Sequence, residues 1–234
     1  PHLLLGGAMI NFDDLHDSIT NKKHVPLIGD LMVTRWAYEA LSVEQFKSNE
    51  FQKHFFEQEK RISEADYATS YLIPELEAKL DLAIRNIGQN KNLDKTKKDL
   101  RIIRNELVKL HEDANKPPFE YLNTVTLEGL NEEIYEELKN YLVYIKLHYL
   151  KIGKNASKEK REIHDSLVEK HGREWIRNLK QENHNQRLAE ILTNSHEVKS
   201  IYEAKDELIQ KKDPIYMNPL SEWGRAHFYA PVKI

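Results

Sequence analysis

The run Leu127-Glu128-Gly129-Leu130-Asn131-Glu132-Glu133-Ile134-Tyr135-Glu136-Glu137-Leu138-Lys139-Asn140-Tyr141-Leu142-Val143-Tyr144-Ile145-Lys146-Leu147-His148-Tyr149-Leu150-Lys151-Ile152 decides the fold class. Within it Leu127, Leu130, Ile134, Leu138, Tyr141, Leu142, Ile145 and Tyr149 recur at the three-to-four spacing of one helical face. The spacing predicts a helix over 127–152, with Gly153 as its stop and Ser157 as the cap of a further helix that ends near Gly172.

Working upstream, Leu93, Leu100, Ile103, Leu107 and Leu110 make an apolar stripe among basic residues over 92–114, and Pro117-Pro118 stops it. Before it, Ser63 with Asp66 three positions on resembles a capping box, and Gly88 stands where a left-handed C-terminal residue is expected. Pro74 predicts a kink, or two short helices joined near Ile73. Trp36, Ala37, Ala40, Leu41 and Val43, with Phe46 beyond them, predict an amphipathic, aromatic-rich helix over 31–56.

Downstream, Trp175, Ile176, Leu179, Leu188, Ile191, Leu192, Val198, Ile201 and Leu208 keep helical phase over 173–210, with a break expected in the Asn/His-rich middle. No alternating run of β-branched residues demands a sheet. Residues 213–234, rich in proline and aromatics, read as extended chain. The expected fold is all-α, an irregular multi-helix bundle with an apolar N-terminal flank and an extended C-terminal tail. Composition divides it into residues 1–57, 58–212 and 213–234, and no internal repeat is evident.

The whole chain of 234 residues is 40% hydrophobic and 31% charged, with eight glycines and eight prolines. With a mean hydropathy of -0.69, this is the profile of solvated helices. A net charge of -3 and a pI near 6.5 remove the bulk-electrostatic argument for a nucleic-acid partner. The absence of cysteine excludes disulfides, thiolate nucleophiles and Cys-ligated zinc. No signal peptide is expected, and a chain starting at Pro1 reads as a fragment. Its most apolar stretches, 1–10 and 25–33, fall short of the roughly 20 residues of a spanning helix.

Charge is segregated along the sequence. Residues 85–109 carry eight basic side chains against three acidic ones, and residues 112–139 carry eight acidic against two basic. Packed antiparallel, the two runs would attract each other, and the basic face alone would also suit phosphate or lipid.

Glycine-rich phosphate loops, G-x-S-x-G and H-E-x-x-H are all missing. His164 and His171 share a helical face two turns apart, with His184 and His196 further on, a pair too widely spaced to chelate zinc without a third ligand. Asp13, Asp14, His16 and Asp17 offer oxygen ligands but lack the glycine and terminal glutamate of an EF-hand loop. Glu132, Glu133, Glu136 and Glu137 place carboxylates at i, i+4, with Ile134 and Leu138 on the other side, as a solvated face does. Tyr135, Tyr141, Tyr144 and Tyr149 do not form one stripe and read as core and rim packing. No catalytic, cofactor-binding or metal-ligating residues are therefore expected.

Two end segments carry a resemblance. Residues 25–41, Val-Pro-Leu-Ile-Gly-Asp-Leu-Met-Val-Thr-Arg-Trp-Ala-Tyr-Glu-Ala-Leu, followed by Glu44-Gln45-Phe46, resemble the region after the fifth membrane helix in ABC exporters of the white/G subfamily. Glu39-Ala40-Leu41 matches the family's E-A-L and Phe46 its phenylalanine, while Glu44-Gln45 departs from its Asn-Glu. Residues 1–12 resemble the short re-entrant segment of such permeases. Asn218-Pro219-Leu220 and Gly224-Arg225-Ala226-His227-Phe228-Tyr229-Ala230-Pro231 resemble the approach to the last membrane helix in bacterial relatives. The helical middle matches no signature of the family, is longer than the loop of animal members and lacks their cysteines.

The resemblance implies a non-catalytic extracytoplasmic domain between the fifth and sixth membrane helices, in the inner membrane and facing the periplasm. It would act as a lid, gate element or docking surface, with ATP hydrolysed by a separate domain of the parent. Its partners would be the rest of the transporter and possible envelope proteins. Arg35, Trp36, Glu39 and Phe46 would lie at the membrane boundary or near the gate. From the residues alone, a core helix within this same domain explains Trp36 as well. A soluble helical adaptor that binds a protein partner is the alternative function, and a metal-dependent hydrolase using the histidines and glutamates is a third class.

Overall fold

Helices dominate the computed structural model, which describes residues 33–218. These residues fall into two interleaved compact units, one built from 65–153 and 203–209, the other from 33–64, 154–202 and 210–218. Among the described residues no helix is long and apolar enough to cross a membrane.

The chain enters through α1 (Val33–Lys47) and passes a 3-10 turn (Gln52–His54) into α2 (Phe56–Tyr67). The expected helix over 31–56 is therefore interrupted, and Asn49 is the reason. Its amide nitrogen donates to the carbonyls of Gln45 and Phe46 at 3.0 and 2.8 Å, while its oxygen accepts from the Phe51 and Gln52 N–H groups at 3.1 and 2.7 Å. The Asn49 side chain thereby serves carbonyls and N–H groups that a continuing helix would satisfy through its own i→i−4 ladder. Ser63 lies inside α2 rather than at a cap, and its hydroxyl bonds to Asp213 at 3.0 Å.

A π-turn (Ala68–Leu72) joins α2 to α3 (Ile73–Gln89), which is where Pro74 predicted a discontinuity. Proline offers no N–H and crowds the preceding turn, and a widened turn just before it accommodates both. The left-handed residue that ends α3 is Asn90, at φ 51°, and Gly88 remains inside the helix. Asn92, also left-handed, starts α4 (Leu93–Asp113). Leu76, Leu80 and Ala83 on α3 and Ile102, Ile103 and Leu107 on α4 are essentially excluded from water, so the two helices form the centre of the first unit.

The long helix α5 spans Glu132–His171. It starts later than expected because Asn131 caps it, its side chain accepting the Ile134 N–H at 2.9 Å. It also runs straight through Gly153 and Ser157, which correct to helix-interior residues. Gly153 stays there because a Cβ at its position would lie 3.0 Å from the Ala65 Cβ. The stop comes at Gly172, whose φ of 87° only glycine adopts at no steric cost.

Beyond it, α6 (Arg173–Asn183) and α7 (Gln186–Leu192) are separated by extended His184 and Asn185, the break the Asn/His-rich segment predicted. The helical phase read into Ile201 and Leu208 is wrong, since β1 (Ile201–Ala204) and β2 (Glu207–Gln210) form a hairpin. Lys205 and Asp206 both take positive φ, as a tight hairpin turn requires. Acidic residues of this hairpin meet the basic face of α4: Glu203 bonds Lys98 at 2.5 Å, and Asp206 lies 3.1 Å from Arg101. Buried Glu106 accepts the Leu208 N–H at 2.9 Å. Lys98 and Arg101, with Lys109 at 3.5 Å from Glu207, are thus paired by a segment far away in sequence. After the hairpin, Pro214–Tyr216 forms a 3-10 turn instead of extended chain, and the rest of the expected tail, from residue 219, lies outside the described residues.

Candidate functional site

In the second unit, α1 and the 3-10 turn at Pro214–Tyr216 meet in one apolar cluster. Val43 and Phe46 of α1 pack with Phe56, Leu192, Ile215 and Tyr216. The Phe46 ring stands edge-on to Tyr216 at 6.1 Å between centroids and to Phe56 at 6.4 Å, arrangements that aromatic quadrupoles favour.

Phe46 and Tyr216 also form part of the wall of a cleft of about 370 Å³ in the same unit. Phe51 and Phe55, brought in by the Asn49-directed turn, widen its apolar floor. Glu59, one turn into α2, is held by three donors: Lys160 at 2.7 Å, the Tyr216 hydroxyl at 2.8 Å and the Gln52 amide. Burial, reinforced by the Glu59 carboxylate, pushes the Tyr216 phenol far above its ordinary range, so it stays a hydrogen-bond donor at any physiological pH.

Cations surround the floor. The Lys160 ammonium lies 6.0 Å from the Phe55 ring centroid and the Lys180 ammonium 5.8 Å from that of Phe51, both within cation–π range. Arg161 and His164 line the same cleft from α5, and His184 stands edge-on to Phe51 at 6.4 Å. Lys160 balances Glu59, which leaves Arg161 and Lys180 as surplus positive charge. Chemically, the cleft offers an apolar contact surface beside fixed cations, and its lining carboxylate is committed to three donors.

The residues singled out in the sequence are dispersed. Phe46 is buried in the aromatic cluster, Glu39 is 5% exposed, and Trp36 is half-buried. Arg35 belongs to the first turn of α1, and its side chain lies outside the described atoms. His164 contacts Asp165, His171 stacks on Trp175 at 4.2 Å, and His196 lies 3.8 Å from Glu190. Among the described residues no three histidines or carboxylates converge to hold a metal ion. Glu132, Glu133, Glu136 and Glu137 are all exposed. Tyr135 bonds Asp81 at 2.8 Å, Tyr141 bonds the Pro117 carbonyl at 2.9 Å, and Tyr149 is buried. Asp13, Asp14, His16 and Asp17 lie outside the described residues.

Sequence reasoning missed Glu59, Lys160, Lys180, Phe51 and Phe55. The closely spaced aromatics Phe51, Phe55 and Phe56 were the one local signal that pointed there. Comparison with protein-family models, with curated proteins and with solved structures returned no match.

Proposed function

We propose that this chain is a non-catalytic extracytoplasmic domain of an ABC exporter permease, acting as a lid, gate element or docking surface during ATP-driven export. The observation that carries the reading is the contact between Phe46 and Tyr216. A domain inserted between two neighbouring membrane helices must bring its incoming and outgoing segments together. Here α1 and the 213–218 segment, each adjoining a stretch that resembles the family, share one aromatic cluster. Phe46 and Tyr216 also line the cleft, so a shift of α1 relative to the outgoing segment would reshape it. That linkage is what a lid or gate element needs.

In this reading the domain faces the periplasm from the inner membrane, its partners are the remainder of the transporter and an envelope protein, and ATP hydrolysis belongs to another domain of the parent. The test is topology mapping in the intact parent, with Lys97→Cys and Lys158→Cys introduced singly into a cysteine-free background. Both positions are exposed. Labelling by a membrane-impermeant thiol reagent after only the outer envelope is permeabilised is the expected result. Labelling only after lysis of the inner membrane overturns the proposal and supports the adaptor alternative.

A further inference from the structure

The cleft walled by Phe46, Phe51, Phe55 and Tyr216 lies wholly within one compact unit, and its charges do not cancel. Its lining holds one carboxylate, Glu59, against three permanent cations, Lys160, Arg161 and Lys180. Glu59 is already occupied by Lys160, the Tyr216 hydroxyl and the Gln52 amide. Carboxylates of the neighbouring turns are engaged as well: Glu159 with Arg61, Glu162 with Lys158, Asp165 with His164 and Glu190 with Gln186. Among the described residues neither Arg161 nor Lys180 makes an ion pair, so two cations at one apolar cleft are left for an anion from outside.

The rings say what that anion carries. The Lys180 ammonium stands 5.8 Å from the Phe51 centroid, and the Lys160 ammonium 6.0 Å from that of Phe55. A flat ring laid against Phe51 gains aromatic contact, and an acid group at its edge meets an ammonium already held beside the same phenyl. We infer that the cleft binds a small aromatic carboxylate, its ring against Phe51 and Phe55 and its anionic end held by Lys180 and Arg161. A guanidinium takes a carboxylate through two parallel N–H donors, which orients the guest as well as neutralising it. A volume of about 370 Å³ is at the small end of ligand sites and suits one or two fused rings. No glycine lines the cleft, so the backbone N–H cradle that glycine-rich loops offer phosphates is missing from it.

Binding of this kind does not rest on the exporter reading, and the full 234-residue chain in solution tests it whatever the topology of the parent proves to be. Naphthoate is titrated into the labelled protein at low salt and followed by amide chemical shifts. The expected dissociation constant is about 0.1 mM, with the largest shifts at Phe51, Phe55 and His184. Naphthalenemethanol keeps the rings without the charge, octanoate keeps the charge without the rings, and each is expected to bind about fivefold more weakly or worse. Lys180→Met and Arg161→Met are each expected to weaken naphthoate about threefold or more while leaving naphthalenemethanol within about twofold, the contrast that loss of charge alone produces. Both side chains are exposed, so circular dichroism should not change. Absence of binding up to about 2 mM overturns the inference. So do shifts confined to residues outside the cleft, a neutral guest that binds as well as naphthoate, or naphthoate binding that neither substitution weakens.

Discussion

The Lys79 ammonium lies 2.9 Å from the Asp99 carboxylate and ties α3 to α4, with side-chain exposures of 9% and 5%. Glu203 of the hairpin approaches the same ammonium at 2.7 Å. Removing one member of such a pair leaves its partner charged and dehydrated, which costs more than the pair contributes. Lys79→Met is therefore expected to destabilise the protein by about 3–5 kcal/mol. Lys79→Met combined with Asp99→Leu should lose clearly less than the two single changes added together. Urea unfolding of the singles and the double measures that coupling, and strict additivity would contradict it.

The same network makes stability depend on acid. Hydrogen bonds from Lys79 and then Lys98 hold the Glu203 carboxyl below its ordinary value of 4.5. A carboxylate whose pKa is depressed by folding stabilises the native state above its unfolded value, and that contribution disappears as pH falls through the folded value. Burial pulls Lys79 down, but its bonds to Glu203 and Asp99 outweigh this and hold it above 10.5, so its charge is constant through neutral pH. Glu203→Gln is expected to lower the melting temperature at pH 7 and to have a smaller effect at pH 3. Equal losses at the two pH values would refute the assignment.

Two helical glycines respond in opposite ways to the same substitution. Nothing lies within 4 Å of a Cβ built on Gly88, so Gly88→Ala gains only helix propensity and should stabilise by about 0.5–1 kcal/mol. At Gly153 the added methyl meets the Ala65 Cβ at 3.0 Å, and neither backbone can yield without disturbing the packing of α2 against α5. Gly153→Ala should be destabilising despite the same intrinsic gain. Thermal melts of the two variants side by side decide it, and stabilisation of both would show that the α2–α5 contact relaxes freely.

Helical periodicity made α1, α4 and α5 legible, because each repeats apolar residues along one face for several turns. Pro74 and the His184-Asn185 break were legible too, since a missing N–H or a polar cluster acts locally. Gly153 was not, because what keeps the helix running there is Ala65, on another helix. The hairpin was hidden for a related reason. Ile201 and Leu208 lie seven residues apart and fit a helix equally well, and Lys205 at φ 51° is no turn signature. What holds the hairpin is the basic face of α4, and a charge run does not announce which distant acids will neutralise it. The cleft was least visible of all, since Glu59 and Lys160, its central pair, are 101 residues apart.

The aromatic cluster supplies the last test, because it joins α1 to the turn at Pro214–Tyr216. Phe46 is 4% exposed and touches both Phe56 and Tyr216, so Phe46→Ala removes a ring that nothing nearby can replace and should cost about 3–5 kcal/mol. Tyr216→Phe keeps the ring but deprives Glu59 of one of its three donors, and should cost only about 1 kcal/mol. The cluster belongs to one unit, so the damage should be local. Native-state hydrogen exchange of Phe46→Ala is expected to show faster exchange in α1 and in residues 213–218, while the buried centre of α3 and α4 keeps its protection. Acceleration spread evenly over α1, α3 and α4 would mean that Phe46 supports the whole chain, and the expectation of local damage would fail.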